Sequence, residues 1–69
     1  MKTLDWSQLK DRPTSIGRNG TIKTSGLEIY SGDNDIYIFP LTSRGHVANC
    51  SIAIPKSEID NLIKILKSL

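Results

Sequence analysis

His46 and Cys50 are the single histidine and the single cysteine of the sequence, and together they are the residue types of a thiolate–imidazole nucleophile. They lie four residues apart across a predicted loop-to-strand junction, and no third group that would orient the imidazole is recognisable. Free cysteine is among the most buried residue types, which favours packing in the core for Cys50 and a solvated loop position for His46. We therefore predict that the protein is not an enzyme.

Asp33 and Asp35 flank Asn34 in a spacing that calcium loops also use. The remaining ligand positions and the closing glutamate of such a loop are absent, so a turn explains this segment better. One cysteine and one histidine leave too few ligands for a structural zinc site. The sequence therefore predicts neither a metal site nor a cofactor.

Three aromatic residues alternate with isoleucines along the predicted strands, so they project from the opposite face of the sheet. In the alternation of a strand, Tyr30, Tyr37 and Phe39 project from one face of a sheet while Ile29 and Ile38 project from the other. An exposed aromatic cluster of this kind is typical of a binding or oligomer surface. Dimerisation or cover by the N-terminal segment, a ligand platform, and scattered exposure all remain open.

As a ligand platform, these rings would act as they do in single-stranded nucleic-acid binding. Bases stack on aromatic faces for ~1 to 3 kcal/mol each, while basic side chains follow the phosphates. A net charge of +2 is compatible with a nucleic-acid partner but is not by itself evidence for one. Glu28, beside the aromatic residues, would repel phosphate. The candidate nucleic-acid-binding residues are Arg18, Lys23, Tyr30, Tyr37, Phe39 and Arg44.

The clearest element in the sequence is a C-terminal amphipathic helix. Ser57 suits the N-cap position, and the acidic residues Glu58 and Asp60 in the first turn complement the helix dipole. The apolar residues at helical spacing are Ile59, Leu62, Ile63, Leu66 and Leu69. Because an isolated helix this short is marginal, we expect this stripe to pack on the apolar face of a sheet.

The strand-like alternation that begins at Thr14 is interrupted first by two short turn signals. Arg18-Asn19-Gly20 suits a three-residue hairpin turn, and Ser25-Gly26 suits a two-residue turn. Each turn sets the register of its flanking strands, since side chains alternate with a period of two. The pairs predicted here are Ile16 with Ile22, Ile22 with Ile29 and Lys23 with Glu28.

Two longer loops follow, a dense run of turn residues from Ser31 to Asp35 and a second loop from Thr42 to His46. Pro55 is expected to end the last strand. The pairs predicted here are Ile29 with Ile38, Tyr30 with Tyr37 and, if the second loop contains an odd residue or a bulge, Ile38 with Ile52. Together with Ile16 and Ile22, these isoleucines should line one face beneath the helix.

These elements predict an α+β fold, an antiparallel β-meander of four to five strands closed by one C-terminal α-helix. Residues 14–69 form this single domain, and residues 1–13 form an N-terminal arm or short helical turn. A chain of this length buries only about 60% of its unfolded surface, and without a disulfide the common remaining aid is oligomerisation. Neither a signal peptide nor a membrane span is recognisable, so we expect a cytoplasmic protein.

A meander of about four strands followed by one helix, in a small basic chain, resembles the single-stranded nucleic-acid-binding folds of the PC4 coactivator and PUR-repeat families. The likeness is one of layout over residues 14–69, most evident in the strand, basic loop Ser43-Arg44-Gly45, strand and helix from Ile36 to Leu69. It implies a homodimer whose helices pair and whose sheet grips a nucleic-acid strand.

Two functions therefore follow from the sequence and from this resemblance. The first is binding of single-stranded DNA or RNA through an aromatic and basic sheet face. The alternative is a protein-interaction module, such as a small inhibitor, accessory or virion protein, that binds a protein partner through the same aromatic face.

Overall fold

The structure is a computed structural model that describes residues 1–18, 20–48 and 50–69. Its elements are β1 (Lys2–Asp5), β2 (Thr14–Gly17), β3 (Gly20–Lys23), β4 (Gly26–Ser31), β5 (Asp35–Leu41), β6 (Ile52–Pro55), a 3-10 turn (Lys56–Glu58) and α1 (Ile59–Ser68). Four antiparallel strands form one sheet in the order β1-β4-β5-β6, and β2 and β3 form a separate hairpin. The α+β class, with antiparallel strands and a C-terminal helix, agrees with the sequence prediction.

The central strands pair in the predicted registers. Ile29 lies opposite Ile38, and Tyr30 lies opposite Tyr37, across β4 and β5. On the other side of β5, Ile38 lies opposite Ile52 of β6. The turn between β4 and β5 is closed by the N–H of Gly32, which donates to the carbonyl oxygen of Asp35 at 2.8 Å. The last strand ends at Pro55, as expected.

The N-terminal residues differ from the predicted arm, because Lys2–Asp5 forms an edge strand of the main sheet. In this strand Leu4 lies opposite Leu27 of β4. A single turn follows, in which the N–H of Leu9 donates to the carbonyl oxygen of Trp6 at 3.0 Å. The edge of β4 needs backbone partners, and β1 supplies them while adding Leu4 to the apolar side of the sheet.

The hairpin registers predicted for residues 14–29 are wrong. Ile16 lies opposite Thr21, and Ile22 lies opposite Ser15, so the two isoleucines project from opposite faces of the hairpin. The prediction that both line one face with the isoleucines of the main sheet is also wrong, because the hairpin is a separate sheet. Neither Ile22 with Ile29 nor Lys23 with Glu28 forms, because β4 pairs with β1 on that side. Asn19, in the predicted hairpin turn, lies outside the described residues.

Hydrogen bonds around Thr24 and Ser25 explain why the chain does not form a two-residue turn there. Both the N–H and the hydroxyl of Thr24 donate to the carbonyl oxygen of Pro13, at 2.9 and 2.7 Å. The N–H of Ser25 donates to Leu41 at 3.0 Å, and its hydroxyl donates to Thr42 at 2.7 Å. Thr24 and Ser25 therefore bridge the hairpin to the main sheet.

Helix α1 forms at the predicted place but does not close the sheet. Among the described residues it makes more than marginal contact only with the preceding 3-10 turn. Ser57 lies inside that turn rather than at an N-cap, and the α-helix begins after Glu58 without a side-chain cap. Leu41 is the one buried hydrophobic side chain among the described residues, so the expected core between sheet and helix is not formed within this chain.

None of the helices in the described part of the chain is long and apolar enough to span a bilayer.

Candidate interaction surface

The aromatic face consists of Tyr30, Tyr37 and Phe39, which share one side of β4 and β5. Tyr30 lies directly opposite Tyr37, and Phe39 lies opposite Glu28, one step further along the same face. The ring centroids of Tyr30 and Phe39 are 5.5 Å apart, with their planes at 88°. This edge-to-face geometry is a favoured arrangement of two aromatic rings and holds both in place.

An open apolar groove of about 500 Å³ runs beside these rings and is completed by Ser31, Gly32 and Val47. Tyr30 and Tyr37 remain 37% and 38% exposed, so their rings form the groove without being buried. At Gly32 an added Cβ would lie 2.8 Å from the ring of Tyr37, so the missing side chain lets that ring lie against the turn.

The charges that the strands place on the aromatic face are all acidic. By register, Asp5 of β1, Glu28 of β4 and Asp35 of β5 project from the same side as the three rings. The Ser7 N–H donates to the Asp5 carboxylate at 2.8 Å and lowers the pKa of Asp5, which keeps it charged. Among the described strand residues, this face therefore has an acidic rim.

Tyr30 is the ring most influenced by that rim. Partial desolvation, followed by the charge of Glu28 and a hydrogen bond to it, raises the pKa of the Tyr30 phenol. The phenol therefore remains protonated at neutral pH and can donate a hydrogen bond from the edge of the groove.

The predicted basic residues lie on other parts of the fold. Arg18 lines a second groove of about 510 Å³ between the β2–β3 hairpin and the segment that follows Thr42. Lys23 lies opposite Thr14 in the hairpin, and Arg44 lies in an exposed loop. The structure therefore gathers the three aromatic candidates on one surface and places the three basic candidates outside it.

Val47 was not among the sequence candidates, although it lines both the aromatic groove and the Arg18 groove. Its backbone forms an isolated antiparallel bridge with Leu41, which brings the loop beside the sheet. The sequence signal for this placement was weak, because a lone valine after a loop is compatible with strand, loop or core.

His46 and Cys50 show no catalytic arrangement among the described contacts. The backbone N–H of His46 donates to the Thr42 hydroxyl at 3.2 Å, and the imidazole lies in an exposed loop position. Cys50 is exposed rather than packed, which corrects the core prediction, and its sulfur lies 3.8 Å from the Ser15 hydroxyl. Within residues 1–18, 20–48 and 50–69, no group of three or more potential side-chain ligands could hold a metal ion.

Comparison with protein-family models, with curated proteins and with solved structures found no match to this chain. The resemblance to the PC4 coactivator and PUR-repeat families therefore stays a prediction from layout.

Proposed function

We propose that this protein is a protein-interaction module that binds a partner through the aromatic face. The observation that carries the proposal is the open apolar groove lined by Tyr30, Tyr37 and Phe39 beneath an acidic rim. Tyrosine is enriched among the residues that dominate binding energy at protein interfaces, because it offers a large rigid ring and a polar tip.

The acidic rim selects the kind of segment that would bind. Asp5, Glu28 and Asp35 favour a partner that combines an apolar anchor for the groove with lysine or arginine beside it. The same charges disfavour a phosphate backbone, which is why a protein partner is preferred over nucleic acid for this face.

Binding of single-stranded nucleic acid is the second candidate. It is favoured by the position of Val47, which joins the aromatic groove to the groove that contains Arg18. A strand could stack bases on the rings and direct its phosphates towards the hairpin. The predicted resemblance to single-stranded nucleic-acid-binding families supports the same function.

A cytoplasmic location and a non-enzymatic role are part of the proposal. The exposed free thiol of Cys50 supports the location, because an exposed thiol persists best in a reducing compartment.

Selection of random displayed peptides on the immobilised protein tests the first candidate. We expect enrichment of peptides with an aromatic or aliphatic anchor next to basic residues, and weaker binding as salt rises. Tyr37→Ala should abolish that binding, whereas Asp33→Ala, in the exposed loop after β4, should leave it unchanged. Enrichment that is the same on the Tyr37→Ala protein would refute the proposal.

Fluorescence titration with single-stranded oligonucleotides at two salt concentrations separates the two candidates. Tight, strongly salt-dependent binding that is lost on Arg18→Ala would favour nucleic acid. Failure of the oligonucleotides to bind at low salt, together with enriched basic peptides, would favour the protein partner.

A further inference from the structure

We infer that the opposite face of the sheet and helix α1 form the two halves of a homodimer interface, in which α1 of each copy covers the sheet of the other. This face is distinct from the aromatic face and independent of the function proposed for it. The inference rests on the accessible surface that one copy exposes in excess of a compact monomer, and on the apolar character of both surfaces.

The first half is the isoleucine face of the main sheet. By register, Lys2 lies at the β1 edge of this face, and its apolar members are Leu4, Leu27, Ile29, Ile36, Ile38, Pro40, Ile52 and Ile54. A shallow apolar groove of about 340 Å³ crosses it, lined by Leu27, Ile38, Pro40, Cys50, Ser51 and Ile52. Ile52 is 55% exposed and Leu4 is 46% exposed, so solvent reaches both edge strands of this face. The other strand isoleucines and Leu27 are half-buried, and none is fully buried.

The second half is the apolar stripe of α1. Ile59, Leu62, Ile63 and Leu66 lie on the same side of the helix. Ile59 and Leu62 are half-buried, whereas Ile63 and Leu66 are 42% and 59% exposed. Asn61 and Lys64 lie on the opposite side, so the helix is strongly amphipathic. A helix of 10 residues is too short to be stable in water unless such a stripe is packed.

The exposed area has the size that a dimer requires. A monomeric protein of 7.6 kDa has an expected accessible surface of about 4,300 Å². This chain exposes 5620 Å², about 1,300 Å² more than that expectation. Its radius of gyration of 12.9 Å also exceeds the roughly 11 Å expected for a compact chain of this length.

If both copies lost this excess, the dimer would bury about 2,600 Å², which lies in the range of obligate homodimers. A typical transient contact is smaller, so the area fits a partner that is always present. A second copy is always available, and both complementary halves occur in the same chain.

The short connection between β6 and α1 fixes where the helix begins. Only the 3-10 turn Lys56–Glu58 separates the two elements. The N–H of Lys56 donates to the carbonyl oxygen of Asn34 at 2.9 Å, which holds this turn against the loop between β4 and β5. The helix therefore starts at one end of the sheet, where a two-fold related copy can receive it and return the same contact.

Light scattering after size exclusion, over a dilution series, measures the mass in solution. We expect twice the 7.6 kDa of the chain. Ile63→Asp should lower the mass to that of one chain, because it places a charge in the dry interface. Asn61→Asp makes the same charge change on the polar side of the same helix and should remain dimeric. A wild-type mass of one chain throughout the series would overturn the inference.

The reciprocal arrangement needs a second measurement, which also applies if Ile63→Asp fails to fold. In a wild-type sample mixed from isotope-labelled and unlabelled chains, we expect nuclear Overhauser effects between chains, from the methyls of Ile63 and Leu66 to those of Ile38 and Ile52. If the nuclear Overhauser effects between helix and sheet occurred only within one chain, each helix would cover its own sheet and the inference would be refuted. A dimer that dissociates on Tyr37→Ala but survives Ile63→Asp would assign the interface to the aromatic face instead.

Discussion

Gly26 lies so close to Leu4 that a Cβ at position 26 would overlap the carbonyl oxygen of Leu4. Gly26 is also buried, and it lies between Asp5 of β1 and Leu41 of β5 in the main sheet. The missing side chain is therefore what allows the N-terminal strand to pair with β4.

Gly26→Ala should destabilise the protein by about 1–3 kcal/mol, because the backbone of β1 must move to accommodate the methyl group. Urea unfolding followed by circular dichroism measures the change in the free energy of unfolding. Gly17→Ala is the matched control, since a Cβ there would lie 3.7 Å from the nearest atom, the carbonyl oxygen of Gly20. Equal effects of the two substitutions would contradict the importance of the contact with Leu4.

Thr24→Val should lower the free energy of unfolding by about 1 kcal/mol, since it removes a buried hydroxyl that donates to Pro13 at 2.7 Å. The shape of the side chain is almost conserved, so the loss reports the hydrogen bond. The same urea experiment on Thr21→Val, at an exposed position of the hairpin, provides the control. A Thr24→Val protein as stable as the wild type would show that the bridge between hairpin and sheet contributes little.

Glu28→Gln should lower the pKa of Tyr30, because it removes the negative charge that disfavours the phenolate, while the larger contribution from desolvation remains. Ultraviolet absorption of tyrosinate, measured in a Tyr37→Phe background, follows Tyr30 alone. Asp33→Asn removes a charge from the neighbouring loop and serves as the control. An unchanged Tyr30 titration in Glu28→Gln would mean that the carboxylate does not act on this ring.

The sign of the linked stability change follows from the raised pKa of Tyr30. The folded protein holds the phenolic proton more tightly than the unfolded chain does, because tyrosine in the unfolded chain keeps its ordinary pKa of 10.0. The stabilisation is therefore complete below that pH and is lost as the pH rises through the folded-state pKa. Glu28→Gln should flatten this part of the stability profile, which urea unfolding at a series of alkaline pH values measures.

Local turn chemistry explains which registers could be predicted. The loop between Ser31 and Asp35 is short and rich in turn residues, so it aligned Ile29 with Ile38 without help from distant parts of the chain. The Ser25-Gly26 segment has comparable turn residues, but there the hydrogen bonds of Thr24 and Ser25 to Pro13, Leu41 and Thr42 prevail. The spacing of turn residues does not show whether nearby or distant hydrogen-bond partners will prevail.

In the candidate site, too, the features set by neighbouring residues could be predicted and those set by long-range pairing could not. Strand alternation placed Tyr30, Tyr37 and Phe39 on one face, because parity depends only on neighbouring residues. The position of Lys23 depended on a strand pairing that does not form, and Val47 reaches the groove through a bridge to Leu41. Both positions depend on long-range pairing.

Periodicity in the sequence was sufficient to define the alternation of the central strands, the place of the C-terminal helix and the parity that separates aromatic from isoleucine residues. These features depend on backbone periods and on turns that act within a few residues. Tertiary packing was needed to establish that β1 occupies the edge of β4. It was also needed to establish that, among the described residues, α1 and the isoleucine face form no buried core. Those outcomes depend on which distant surfaces meet, and an amphipathic stripe encodes the need for an apolar partner without naming it.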